Sequence, residues 1–168
     1  ENLVHIIDGV TRTVIRTTEI PHGPDEVAFS GSFAYIRAAG ASDIAMIPLA
    51  DPSAGGVGKL DRFPVGNQPV GAAGPLANAP SIVTAPDMPD AVYVLNAKER
   101  MIYYFHYMEG MPMPSGGLTT YGYEPTAIMV AGKDLRERQP GEYTAPVRLA
   151  RQGPYDLVFI RPAPRAIA

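Results

Sequence analysis

The densest group of potential ligand atoms in the sequence is His106-Tyr107-Met108-Glu109-Gly110-Met111-Pro112-Met113-Pro114. Three thioethers, Met108, Met111 and Met113, fall within six residues, and the His106 imidazole stands two residues before the first. Thioether sulfur is a soft donor that suits Cu(I) far better than Zn(II) or Mg(II), and an imidazole nitrogen would help to hold Cu(II). On a loop stiffened by Pro and Gly, this spacing lets several sulfurs turn toward one ion. The competing reading is packing. Methionine fills irregular gaps well, and in an extended chain His106 alternates with Tyr104 and Met108 and shares their face.

The other titratable groups offer less. His22 lies in the bend Pro21-His22-Gly23-Pro24-Asp25, and loops carry binding groups more often than strands do. His22 is therefore a candidate cofactor-binding residue, and His5, with apolar neighbours, a structural one. Asp25 and Glu26 are adjacent, so a regular strand sends them to opposite faces and they make no acid–base pair. Asp87 and Asp90 read as solvated turn acids. Gly55-Gly56-Val57-Gly58-Lys59 lacks the spacing of a phosphate-binding loop. The chain has no nucleophile-elbow Gly-x-Ser-x-Gly and no Cys-x-x-Cys-His, which leaves no catalytic residue to nominate.

These residues need a scaffold, and the composition limits which one. The chain has 168 residues, of which 46% are hydrophobic, enough for a buried core. It has 17 Gly and 18 Pro, about a fifth of the chain against a usual eighth. Both residues break helices and set turns, so many short strands are expected. There is no Cys, which removes disulfides and thiolate chemistry. The net charge is −3 with scattered basic residues, so nucleic acid is not an expected partner. No apolar run reaches the roughly 18 residues of a membrane helix. Glu1 leads at once into the apolar Leu3–Asp8, without an initiator Met or signal peptide. A targeting segment and earlier domains are expected upstream.

Strand patterns recur along the first two thirds: Leu3–Asp8, Thr13–Ile20, Glu26–Ser30, Phe33–Arg37, Asp43–Leu49, Leu60–Val65, Ala91–Asn96 and Arg100–Tyr107. They repeat as a unit. Leu3–Asp8 is echoed by Ile44–Leu49, the bend from Pro21 to Phe29 by Val65–Ala73, and Phe33–Ala38 by Ala91–Asn96. A period near 40–45 residues with several strands per unit is the pattern of propeller blades. The string AVYVLNAKERMIYYF and the bend VGNQPVG resemble the YVTN-type seven-bladed propeller repeat over residues 1–107. About two and a half blades are present, and a closed propeller has at least four. The resemblance implies that the missing upstream part, or other protein subunits, complete the structure.

Past Tyr107 the pattern changes. The Met/Pro/Gly-rich segment 108–117 reads as a connecting loop, and Lys133–Arg138 as at most one helical turn. Glu124–Val130, Gly141–Leu149 and Tyr155–Ile160 read as strands. Pro140-Gly141-Glu142-Tyr143-Thr144-Ala145-Pro146-Val147-Arg148-Leu149 with Gly153-Pro154-Tyr155-Asp156-Leu157-Val158-Phe159 resembles the end of small Ig-like sandwiches of the YtkA/FixH and copper-resistance type. The tyrosines 103, 104, 107, 121 and 123 are expected to join the two parts. The fold expected is therefore all-β: partial propeller blades over 1–107, a connecting loop over 108–117, and a small antiparallel β-sandwich-like module with a Pro-rich tail over 118–168.

The two resemblances imply a periplasmic or extracellular, non-catalytic binding or scaffold protein, with copper at His106, Met108, Met111 and Met113. Two alternatives stay open. In one, the chain is a subunit of a periplasmic redox enzyme, since YVTN-like propellers resemble the haem-carrying propellers of nitrite reductases and those of quinoprotein dehydrogenases. Its cofactor would then sit mostly upstream, with His22 lining the channel. In the other, the chain is a structural member of a multi-subunit assembly.

Overall fold

The structure, a computed structural model, describes residues 2–50, 60–71, 79–85, 88, 90–108, 111–130, 136–145 and 153–154, with the backbone alone at Met111. The chain is all-β. Its described strands form antiparallel sheets, none closed into a barrel, and no described segment is helical. Among the described residues, no helix is long and apolar enough to cross a membrane. Two compact units are present, Glu1–Val130 and Ala131–Ala168.

The first unit begins with a hairpin, β1 (Leu3–Ile7) and β2 (Val14–Glu19). Its turn is set by Asp8, whose Oδ1 accepts from the N–H groups of Val10 at 2.8 Å and Thr11 at 2.7 Å. Those bonds, the Thr11 one foremost, hold the Asp8 carboxyl below its ordinary pKa. A four-stranded meander follows: β3 (Pro24–Phe29), β4 (Phe33–Ala38), β5 (Asp43–Pro48) and β6 (Asp61–Pro64). A second meander has the same order: β7 (Ile82–Thr84), β8 (Ala91–Asn96), β9 (Met101–Met108) and β10 (Met111–Thr119).

The first meander is buried on both faces, because alternate residues of β4 and β5 are apolar in both phases. Phe33, Tyr35, Ile44 and Met46 point one way and join Ile82, Val92, Val94 and Phe105 of the second meander in one core. Ring pairs seal the contact, Phe33 with Tyr107 at 4.3 Å and Phe63 with Phe105 at 4.6 Å between centroids; each such pair adds about 0.5–1.5 kcal/mol beyond area burial. Ala34, Ile36, Ala38, Ala45 and Ile47 point the other way and pack with Val4 and Ile6 of β1. Aromatic residues meet the four-stranded neighbour, and a mixture of Ala and Ile meets the hairpin. The two meanders thus pack face to face in a sandwich-like arrangement within the first unit.

Several expectations are corrected. In place of the expected connecting loop, Met111–Thr119 is strand β10, paired with β9 along its length and at the edge of its sheet among the described strands. Proline is tolerated there because an edge strand has one side that needs no donors. Glu124–Val130 lies in no strand. Residues Arg136–Arg138 are extended, in β11 (Arg136–Gln139), which pairs with β12 (Glu142–Thr144) in a hairpin of the second unit. Residues 146–149, the expected strand Tyr155–Ile160, the tail Arg161–Ala168 and the Gly-rich 55–59 lie outside the described residues.

Candidate functional site

The four residues nominated for copper all lie on β9 and β10. In the register of that pair His106 stands directly opposite Met113, and Met108 directly opposite Met111. Directly opposed residues of an antiparallel pair share a face, with Cβ atoms about 4.5–5.5 Å apart. Residues two apart on one strand also share a face. All four positions therefore fall on one face of the sheet. That face is the one turned away from the first meander, because the intervening Phe105 and Tyr107 pack toward it.

The rest of the face is laid out in cross-strand rows. Ala91 of β8 stands opposite His106, small and fully buried. One row along, Tyr93 stands opposite Tyr104; the rings stack at 4.8 Å and 28°. The Tyr104 hydroxyl reaches the Met88 sulfur at 4.0 Å. The next row holds Leu95, Ile102 and Leu118. The apolar rows end at the open edge, where Met108 is 51% and Met113 44% exposed, while His106 is half-buried.

This arrangement can offer thioether sulfur and one imidazole to a soft ion from a paired antiparallel ladder. Among the described residues, no three His, Asp or Glu side chains converge as metal ligands. A metal held by these residues would therefore depend on sulfur. His22 is not part of the group. It lies exposed in the turn before β3, with a left-handed φ of 74°. His5 lies on β1, its Nδ1 2.9 Å from the Thr17 hydroxyl across the hairpin.

Two polar networks went unread in the sequence. Asp25 and Glu26 do not diverge: the register of β3 against β4 shifts between Pro24 and Glu26, and this bulge turns both carboxylates to Arg37. Arg37 binds Asp25 through Nε and Nη2 at 2.9 and 2.7 Å and Glu26 at 3.0 Å. Burial alone would depress the guanidinium pKa; the Asp25 hydrogen bonds and the Glu26 charge more than offset it. Glu26 also accepts from the N–H groups of Ser81 and Ile82 at 2.8 and 2.9 Å, which ties the first meander to the second. The network sets one guanidinium against two carboxylates and is structural in character.

The second network explains the VGNQPVG bend. Asn96, fully buried at the end of β8, donates from Nδ2 to the carbonyls of Val65 at 3.3 Å and Gln68 at 2.9 Å. Glu99 accepts from the N–H groups of Asn67 at 2.6 Å and Gln68 at 2.9 Å and from the Tyr103 hydroxyl. The Tyr103 bond is the main reason the Glu99 carboxyl lies below its ordinary value; its counterpart pushes Tyr103 up to about 12. Of the other tyrosines, Tyr107 packs on the core, and Tyr121 and Tyr123 are exposed.

No protein-family model, no curated protein and no solved structure matches the chain at a significant level.

Proposed function

We propose that this chain is a non-catalytic binding and scaffold module of the cell envelope, part of a YVTN-like propeller, which holds a copper ion through His106, Met108, Met111 and Met113. The observation that carries the copper reading is the β9–β10 register, with His106 opposite Met113 and Met108 opposite Met111. Soft sulfur with one imidazole favours Cu(I). The blade reading is supported by two consecutive four-stranded antiparallel meanders packed face to face, with Asn96 at the end of β8 holding the bend at Val65 and Gln68.

The test is a titration of Cu(I) into the purified chain against a competing chelator. Replacing Met108, Met111 and Met113 with Leu is expected to weaken binding by about a hundredfold or more, since even changes outside the ligand set cost about 10–100-fold. Unchanged affinity would make the three residues packing only.

A second reading is favoured by the exposure of Met108, Met113 and Leu118 on one sheet face. A contiguous apolar face of this kind also suits a structural chain that packs against a neighbour in an assembly. Full monomer behaviour in sedimentation at high concentration would count against it. The redox-subunit alternative gains no support from His22, which lies apart from the other four residues.

A further inference from the structure

Met88 lies far from the Met-rich run in sequence, yet the fold returns it to the same end of the second meander. Its N–H donates to the Ala85 carbonyl at 3.2 Å, and its own carbonyl accepts from the Ala91 N–H at 3.1 Å. The turn that carries Met88 is thereby tied to the first residue of β8. Ala91 stands directly opposite His106, and Met113 of β10 stands opposite His106 on the other side. The row across the sheet therefore reads Ala91, His106, Met113, with neighbouring strands about 4.8 Å apart.

A second contact places the Met88 sulfur. Tyr104 precedes His106 by two residues on β9, so the two side chains share a face. The Tyr104 ring stacks on Tyr93, its cross-strand neighbour on β8, and its hydroxyl reaches the Met88 sulfur at 4.0 Å. That sulfur therefore lies over the face that carries His106, and it arrives from the β8 side. Ala91 projects a single methyl group beside the imidazole, so no bulky side chain of β8 stands in that row.

The geometry points to Met88 as a further thioether ligand of the copper site, on the opposite flank of His106 from Met113. The ion sits over the His106 ring and takes one sulfur from the β10 side and one from the β8 side, with Met108 next along β9. Met111 and Met113 both belong to β10 and approach from one flank only; Met88 supplies the other. A thioether is a weak hydrogen-bond acceptor, so the Tyr104 contact yields readily to a soft ion that prefers sulfur. The inference rests on the copper reading above and enlarges its ligand set.

The experiment compares the whole chain with its Met88→Leu and Met129→Leu variants. Cu(I) is titrated into each under anaerobic conditions against a competing chelator, and the sulfur neighbours of the bound copper are counted by X-ray absorption. Met129 is exposed and lies in no strand, which makes it the control. Met88→Leu is expected to weaken binding about tenfold or more and to remove one sulfur neighbour, while Met129→Leu changes neither. Leu conserves the volume of Met, and an unchanged near-ultraviolet signal from the Tyr93–Tyr104 stack in the metal-free variant verifies the fold. A methionine that only packs against Tyr104 leaves the sulfur count as it was. An unchanged count in Met88→Leu, at any affinity, overturns the Met88 assignment and leaves the copper reading standing. A parent chain that binds no Cu(I) overturns both.

Discussion

His106 on β9 and Met113 on β10 occupy directly opposed positions of one antiparallel ladder. The pairing brings together two residues seven apart in sequence, on the sheet face turned away from the first meander. An imidazole and a thioether so placed need no loop rearrangement to meet a common ion. The geometry separates binding from folding. Met113 and Met108 are largely exposed, and their exchange for Leu conserves volume, so the triple Leu variant should unfold within about 0.5 kcal/mol of the parent in a urea titration.

The Asn96 grip on the preceding bend should matter more. Truncation to Ala removes two donors and leaves the carbonyls of Val65 and Gln68 without their partners. Such a loss costs about 1–3 kcal/mol, measured as a fall in the denaturant midpoint at unchanged slope.

Gly66 in the same bend has φ of 74°, and a Cβ there would lie 2.2 Å from the Glu99 carboxylate. Gly66→Ala therefore meets both backbone strain and a displaced carboxylate, for a cost of about 1–3 kcal/mol. Pairing it with Glu99→Ala should recover part of that cost in a double-mutant cycle, because the second change removes the clash.

Tyr103 gives a pH prediction. Its folded pKa is raised to about 12 from an ordinary value near 10. Between those values the unfolded chain loses the phenolic proton while the folded chain keeps it, so stability falls as pH rises through that window. The bond contributes fully below pH 10. Tyr103→Phe should flatten this part of the stability profile. Glu99 has the opposite sign: its carboxyl is depressed, so its contribution is present at neutral pH and is lost as pH falls through the folded value.

Arg37 joins the two meanders through Glu26, Asp25 and Ser81, with Nη1 2.5 Å from the Ser81 hydroxyl. Arg37→Met leaves the partly buried Glu26 carboxylate and the exposed Asp25 carboxylate without their cation and should cost about 1–3 kcal/mol. Arg37→Met with Glu26→Gln should cost less than the sum of the single changes.

How much of this was legible follows from the kind of signal each residue carries. β-Branched and aromatic alternation located β1 to β6, β8 and β9 within a residue or two, because those strands bury at least one face. Strand β10 was missed because Pro112, Pro114, Gly116 and Gly117 oppose strand formation in isolation. Two prolines spaced by two put both missing donors on one side of the strand, and an edge position makes that side harmless. Strand β7 has only three residues and sits among prolines. The charged Lys133–Arg138 looked like a helical turn because pattern alone does not reveal that Arg136–Gln139 has a partner strand. The four candidate ligands were legible by residue type, but their shared face was not, since it depends on a register no local signal encodes. The Asp25 bulge, which reverses the expected divergence of Asp25 and Glu26, is hidden for the same reason.

The measurement that tests the copper site most directly is the NMR spectrum of the chain with 13C-labelled methionine methyls, of which there are seven. On addition of one equivalent of Cu(I), the methyls of Met108, Met111 and Met113 should shift together with the His106 ring resonances, while that of the core residue Met46 stays in place. Absence of those shifts, or shifts confined to Met88, Met101 and Met129, would contradict the site.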